Sequence, residues 1–126
     1  MHHSDLVYVK RMKQKGRGVF ARRPIAKGGV IERVPVLVIA NKEITGGLAG
    51  SLLQRYVFIR TASSVAIALG YGSLYNHSFT PNARYDDEPG PSMVFTALRA
   101  IKAGEEITVN YNGNPKDRSP VGFTVR

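Results

Sequence analysis

Cysteine is absent from the 126-residue chain. Its absence excludes disulfide frameworks, thiolate nucleophiles and cysteine-ligated zinc. Histidine is scarce: His2, His3 and His77 are the full set, and only His77 lies in a patterned segment. A histidine-rich metal centre lacks ligands, so no metal is expected. No apolar run approaches the ~20 residues that a bilayer span requires. The longest candidate, 34–40, contains Pro35 and reads as a strand. The first residues carry no signal-like hydrophobic stretch, and the expectation is a soluble intracellular protein without membrane contact. Acidic residues are few as well, nine against 18 Lys or Arg, for a net charge of +9.

Half of that basic charge falls early: Lys10, Arg11, Lys13, Lys15, Arg17, Arg22, Arg23, Lys27 and Arg33. Such clustering fits a nucleic-acid or other anionic partner, or the charged edge that keeps a small β-protein soluble. With 43% hydrophobic residues the chain can bury a core, and its length fits a single domain over 1–126. What it has in quantity is turn formers, 13 Gly and seven Pro between runs of Val, Ile, Tyr, Phe and Thr. These runs predict strands at 6–9, 18–22, 30–40, 55–60, 65–69, 83–86, 92–97 and 106–111. Only 43–55 and 73–77 read as short helical turns. The fold class is mostly β.

One internal echo stands out. The segment Ala21-Arg22-Arg23-Pro24-Ile25-Ala26-Lys27-Gly28-Gly29-Val30-Ile31 resembles Ala97-Leu98-Arg99-Ala100-Ile101-Lys102-Ala103-Gly104-Glu105-Glu106-Ile107. Ala, Arg, Ile, Gly and Ile recur in register. Each copy reads as a strand, a turn closed by a positive-φ glycine (Gly28, Gly104), and a strand resuming at isoleucine. Either the two copies are related halves of one β-fold, or two strand turns happen to look alike.

Three segments can carry chemistry. Gly16-Arg17-Gly18 precedes a strand, where glycines allow close backbone approach to a ligand or simply a tight turn. It lacks the third glycine of a dinucleotide fingerprint and the Gly-Lys-Ser/Thr ending of a P-loop. Asn76-His77-Ser78-Phe79-Thr80-Pro81-Asn82 packs the polar side chains of Asn76, His77, Ser78 and Asn82 between apolar runs, which is costly unless they pair with each other or a ligand. Hydrolysis through Ser78 and His77 is disfavoured, since adjacent residues rarely aim at each other and no acidic partner is apparent. In Gly104-Glu105-Glu106-Ile107-Thr108-Val109-Asn110-Tyr111, alternation sets Tyr111 on the apolar face, where its hydroxyl needs a partner.

In order and spacing these three pieces resemble the SET-domain protein-lysine methyltransferases. The family motifs run Gly-X-Gly, then Asn-His-Ser-Cys-X-Pro-Asn, then Gly-Glu-Glu-Leu-X-X-Asp-Tyr. The resemblance spans about 6–112 and leaves 113–126 as a C-terminal tail. It implies a β-clip-like fold of short strands with a threaded C-terminal segment, an exception to the avoidance of knots. It further implies S-adenosylmethionine as cofactor, held by Gly16, Arg17, Gly18, Asn76 and the His77 backbone. Tyr111 becomes the catalytic tyrosine. Tyr71, Tyr75 and Phe123 are candidate walls of the lysine channel, which the tail or a second subunit of a homodimer would close. The implied substrate is a lysine in a histone or histone-like tail, in the nucleus or at chromatin for a eukaryotic or viral source and in the cytoplasm for a bacterial one. The competing expectation is an inactive SET-like module that binds chromatin or nucleic acid through its basic surface. Two departures stand out: Phe79 replaces the family cysteine and Asn110 its aspartate. The cysteine-rich zinc segments that flank many members, one of which helps close the channel, are missing. A cationic substrate tail requires a neutral or acidic groove, and Asp86-Asp87-Glu88 is read either as its rim or as a solvated hairpin turn.

Overall fold

The computed structural model describes residues 5–13, 16–43 and 56–120. Among these residues, nine strands run β1 (Val7–Met12), β2 (Gly16–Ala21), β3 (Val30–Ala40), β4 (Val57–Thr61), β5 (Ser64–Ala68), β6 (Asn76–His77), β7 (Ala83–Glu88), β8 (Ser92–Ala97) and β9 (Glu106–Val109). Among the described residues, helical structure is limited to two 3-10 turns, Asn41–Glu43 and Gly72–Leu74. Most of the predicted turn at 43–55 lies outside the described residues. The one predicted at 73–77 shifts to Gly72–Leu74, because Asn76 and His77 are taken into a strand.

The strands form two sheets, ordered β1-β2-β9-β6 and β4-β5-β3-β8-β7. Strand β3 serves the second sheet in two halves. Residues 30–35 pair with β8 and residues 36–40 with β5. Pro35 sits where one partner gives way to the other, so its missing N–H interrupts no continuous ladder. A register shift between Val30 and Glu32 makes room for one extra residue, and two consecutive side chains, Ile31 and Glu32, both end up buried. The core between the sheets is built from alternate positions of facing strands: Val7, Val19 and Ala21 from one side, and Val34, Met93 and Phe95 from the other.

The echoing segments are two of the links between the sheets, β2 to β3 and β8 to β9, and they pair with each other. Ile25 and Ile101 exchange both backbone bonds, at 2.9 and 2.8 Å. Gly28 N donates to Ala97 O at 2.8 Å, and the equivalent Gly104 N donates to Ala21 O at 2.7 Å. Ala97 N reaches Gly29 O just as Ala21 N reaches Glu105 O, both at 2.9 Å. Every bond has its counterpart, so the repeat is a local two-fold. Gly28 and Gly104 have φ of 80° and 86°, as the turn requires.

The acidic triplet is not a turn. Strand β7 continues through Glu88, and each acid is matched by an arginine. Asp86 pairs with Arg84 at 2.9 Å, Asp87 with Arg60 at 3.5 Å and Glu88 with Arg33 at 3.1 Å. Pairing with β8, through Glu88 against Ser92, holds the strand extended past the point where turn chemistry predicts its end.

Candidate active site

Strand β9 joins the three motifs. It lies antiparallel to β2, with Val19 against Ile107 and Phe20 against Glu106, and parallel to β6, with Asn76 against Thr108 and His77 against Val109. A late segment therefore occupies the centre of the first sheet, and Tyr111 emerges from it beside the Asn-His-Ser turn.

Asn76 uses both amide hydrogens on its neighbours. Nδ2 donates to Arg17 O at 2.9 Å and to Glu106 Oε2 at 2.8 Å. The acceptor Oδ1 stays available to a ligand cation. The two glycines matter for different reasons. Gly16 has φ +72°, which a side chain resists, although a Cβ there would meet nothing. At Gly18 the constraint is space: a Cβ would stand 2.7 Å from Glu106 Oε2, 2.7 Å from Met12 Cε and 3.1 Å from Asn76 Nδ2. Gly18, Asn76 and Glu106 thus form one cradle, with Arg17 supplying a carbonyl.

His77 is 4% exposed, and its Nδ1 accepts the Tyr111 backbone N–H at 2.9 Å. Since that N–H can only donate, Nδ1 carries no proton. Burial pushes the imidazole pKa below its ordinary value. Phe79 packs edge-on against the imidazole at 4.5 Å and so fills the family's cysteine position with apolar bulk. Ser78 Oγ accepts from Thr80 N at 3.0 Å and shapes the turn. Asn82 is buried and imitates a neighbouring strand, with Nδ2 donating to Glu106 O at 2.8 Å and Oδ1 accepting Thr108 N at 2.9 Å.

The Tyr111 hydroxyl donates to Tyr75 O at 2.6 Å. Burial, followed by Tyr56 and Glu106, pushes its pKa up to about 12, so it keeps its proton at neutral pH. With the proton committed to Tyr75 O, the oxygen lone pairs are what Tyr111 presents. Tyr85 donates to Tyr111 O at 3.1 Å, and burial with Asp87 and Tyr111 nearby lifts it likewise to about 12.

Gly16, Arg17, Gly18, Asn76, His77 and Tyr111, distant in sequence, therefore meet at one locus. A scan against protein-family models matches residues 16–112 to the SET domain. The chain belongs to the SET-domain family.

SET-domain relatives agree. The chain is 33% identical over 104 residues to the H3 lysine-37 specific histone-lysine N-methyltransferase of Schizosaccharomyces pombe, covering 82% of this chain and 71% of that protein. Histone-lysine N-methyltransferase ash1 of Drosophila melanogaster is 33% identical over 118 residues, covering 84% of this chain and 5% of the relative. Histone-lysine N-methyltransferase SETD7 of Halocynthia roretzi is 25% identical over 136 residues, covering 92% and 34%. A crystal structure of a Plasmodium falciparum protein assigned as a histone methyltransferase superposes with TM-score 0.69 at 29% identity, covering 88% of this chain and 95% of that one. The mostly-β SET fold expected from sequence is thereby shown.

The remaining expected residues lie as follows. Tyr75 is 1% exposed, stacked on Phe95 at 4.6 Å, with its hydroxyl donating to buried Glu32 at 2.8 Å. Its ring is core, and its carbonyl is what reaches Tyr111. Tyr71 is half-buried against the core, and Phe123 lies outside the described residues. Sequence reasoning missed Tyr85 and the part played by Glu106. No local signal marks Tyr85, whose place follows from its pairing with Phe95 across β7 and β8. The signal for Glu106 was its place in the third motif, directly opposite Phe20 on β2.

Proposed function

We propose that this chain is an S-adenosylmethionine-dependent protein-lysine N-methyltransferase acting on a histone or histone-like tail. The observation that carries the reading is the Tyr111 hydroxyl, fixed by Tyr75 O in the turn that leads into Asn76 and the Gly18–Asn76–Glu106 cradle. In this reading the cradle would hold the cofactor: Gly18 lets Asn76 and Glu106 come close to the backbone, Asn76 Oδ1 would accept from an ammonium, and Glu106 would add negative charge behind it. Gly16, Arg17 and His77 would contribute backbone groups.

Bound there, S-adenosylmethionine supplies an electrophilic methyl group. The chain's own task is to deliver a neutral amine in line with it. A free lysine has a pKa of about 10.4, and its charged form has no lone pair. Walls built from Tyr111 and Tyr85, both protonated, desolvate the ammonium without offering it a counter-charge and so favour proton loss to solvent. Alignment then does most of the work. The Tyr111 oxygen can polarise a methyl by weak C–H···O contact. No general base is needed, consistent with a cluster whose tyrosines hold their protons and whose His77 Nδ1 is engaged by backbone.

The test is transfer of labelled methyl from S-adenosylmethionine to a histone mixture. Tyr111→Phe should lower kcat at least about 100-fold with cofactor affinity nearly intact. Asn76→Ala should weaken cofactor binding about tenfold or more. Cofactor binding without transfer to any protein would sink the enzyme reading.

We also propose a nucleic-acid contact on the β1–β2 ribbon. Arg11 and Arg17 stand directly across the ribbon, an unfavourable like-charge pairing. Lys10 lies over Phe20 and Arg22 over Tyr8, each 5.3 Å from the ring centroid, and the two rings stack at 5.8 Å. These four cations have no carboxylate partner among the described residues. Aromatic rings hold Lys10 and Arg22 in place while leaving their charge uncompensated, which suits a phosphate backbone.

A further inference from the structure

Asn110 follows β9 and precedes Tyr111, and the reading above gives its side chain no role. It is 2% exposed. Its Nδ2 donates to Asp117 O at 2.5 Å and to Pro115 O at 3.4 Å, and its Oδ1 accepts Asn112 N at 3.0 Å. All three bonds reach forward, so the whole capacity of this amide is spent on the segment after Tyr111. That segment is gathered at further points. Gly113 N donates to Asn110 O at 2.9 Å with φ +90°, Asn112 Nδ2 to Ser119 O at 2.9 Å, and Asp117 N to Asn114 O at 3.0 Å. The strap 113–119 starts beside Tyr85. A Cβ built on Gly113 would stand 3.7 Å from the Tyr85 hydroxyl, which itself holds Tyr111 O.

Two carbonyl oxygens aimed at one buried side chain require a donor. An amide supplies two hydrogens, whereas a carboxylate supplies none and would set its charge against both oxygens. The departure from the family's aspartate is thus matched to this chain's own strap. We propose that Asn110 is a positioning residue: its amide clasps the 113–119 strap against Tyr85 and Tyr111, closing the lysine side of the site without metal. What the clasp does for turnover rests on the methyltransferase reading; the clasp itself does not.

The test compares full-length wild type with Asn110→Asp, which restores the family residue, and with Asn112→Ala, which removes only the outer bond to Ser119. In Asn110→Asp, hydrogen exchange at Gly113, Asp117 and Ser119 should accelerate about tenfold while β3 and β8 keep their protection. The kcat/KM for the protein substrate should fall about 10–100-fold, chiefly through KM, with cofactor Kd changed less than about threefold. Asn112→Ala should show the same pattern at smaller amplitude, and it carries the test if the buried variant does not fold. Unchanged strap exchange in both variants overturns the clasp, as does cofactor affinity falling in step with turnover. A wild type that transfers no methyl sinks the methyltransferase reading, while the exchange measurement still decides the clasp.

Discussion

A backbone N–H at Nδ1 holds His77 neutral for as long as Tyr111 stays in place. The folded pKa is lowered by burial, while the unfolded chain titrates near 6.5. Below that value the unfolded state binds a proton that the folded state resists, so stability rises with pH. This contribution is complete above pH ~6.5 and is lost as pH falls toward the depressed folded value. Thermal unfolding between pH 5 and 8 should therefore show a loss on the acid side. His77→Gln, whose carbonyl can still accept the Tyr111 N–H, should flatten it. Equal acid-side slopes in the two proteins would refute the assignment. That Tyr111, Asn76 and His77 lie together was legible from the order of the motifs and the family they resemble. Tyr85 and the Tyr75 carbonyl were not, since they meet Tyr111 only through strand register and a turn, which no local pattern encodes.

At the scale of elements, the reciprocal links between the sheets make a quantitative claim. Gly28 and Gly104 have nearly the same φ, and a Cβ on either meets nothing within 4 Å. Replacement by alanine therefore costs conformation alone, about 1–2 kcal/mol at each position. Urea unfolding of Gly28→Ala and Gly104→Ala should give losses equal within about 0.5 kcal/mol, and a clear inequality would show that the two-fold is not energetic. The sequence revealed both turns, because glycine and isoleucine recur in register. It did not reveal that they bond to one another, since backbone pairing leaves no trace in side-chain type. Strand β3 was legible end to end from its β-branched run, even with Pro35 inside it. Strand β7 was cut short for the opposite reason. Its acidic end looks like a turn until Arg84, Arg60 and Arg33 are seen beside it.

For the molecule as a whole, charge is divided by location. The acidic side chains of β7 are matched by arginines, whereas the β1–β2 ribbon holds Lys10 and Arg22 on aromatic rings. Four of the cations behind the net charge of +9 thus stand together where, among the described residues, no carboxylate pairs with them. Fluorescence anisotropy with a short DNA duplex should show salt-dependent binding. Charge reversal at Lys10 and Arg22 together should weaken it more than about tenfold and reduce the salt slope by about 2. Methyl transfer to a free peptide should be unaffected by that pair. Duplex affinity insensitive to the reversal would leave the ribbon as a solubilising edge. Composition announced the charge but not its partition, because pairing depends on which strands become neighbours.

The central position of β9 also governs how the molecule comes to exist. Phe20 must wait for Glu106, and Asn76 for Thr108, before the first sheet has a middle. Loop closure over such distances is paid in entropy before any contact rewards it, so folding falls at the slow, high-contact-order end of small domains. Until β9 arrives, β2 and β6 present unpaired edges, and the half-made chain is open to association with other copies. The strand that completes the Gly18–Asn76–Glu106 cradle is the same one that covers these edges, so forming the cradle and covering them are a single kinetic event.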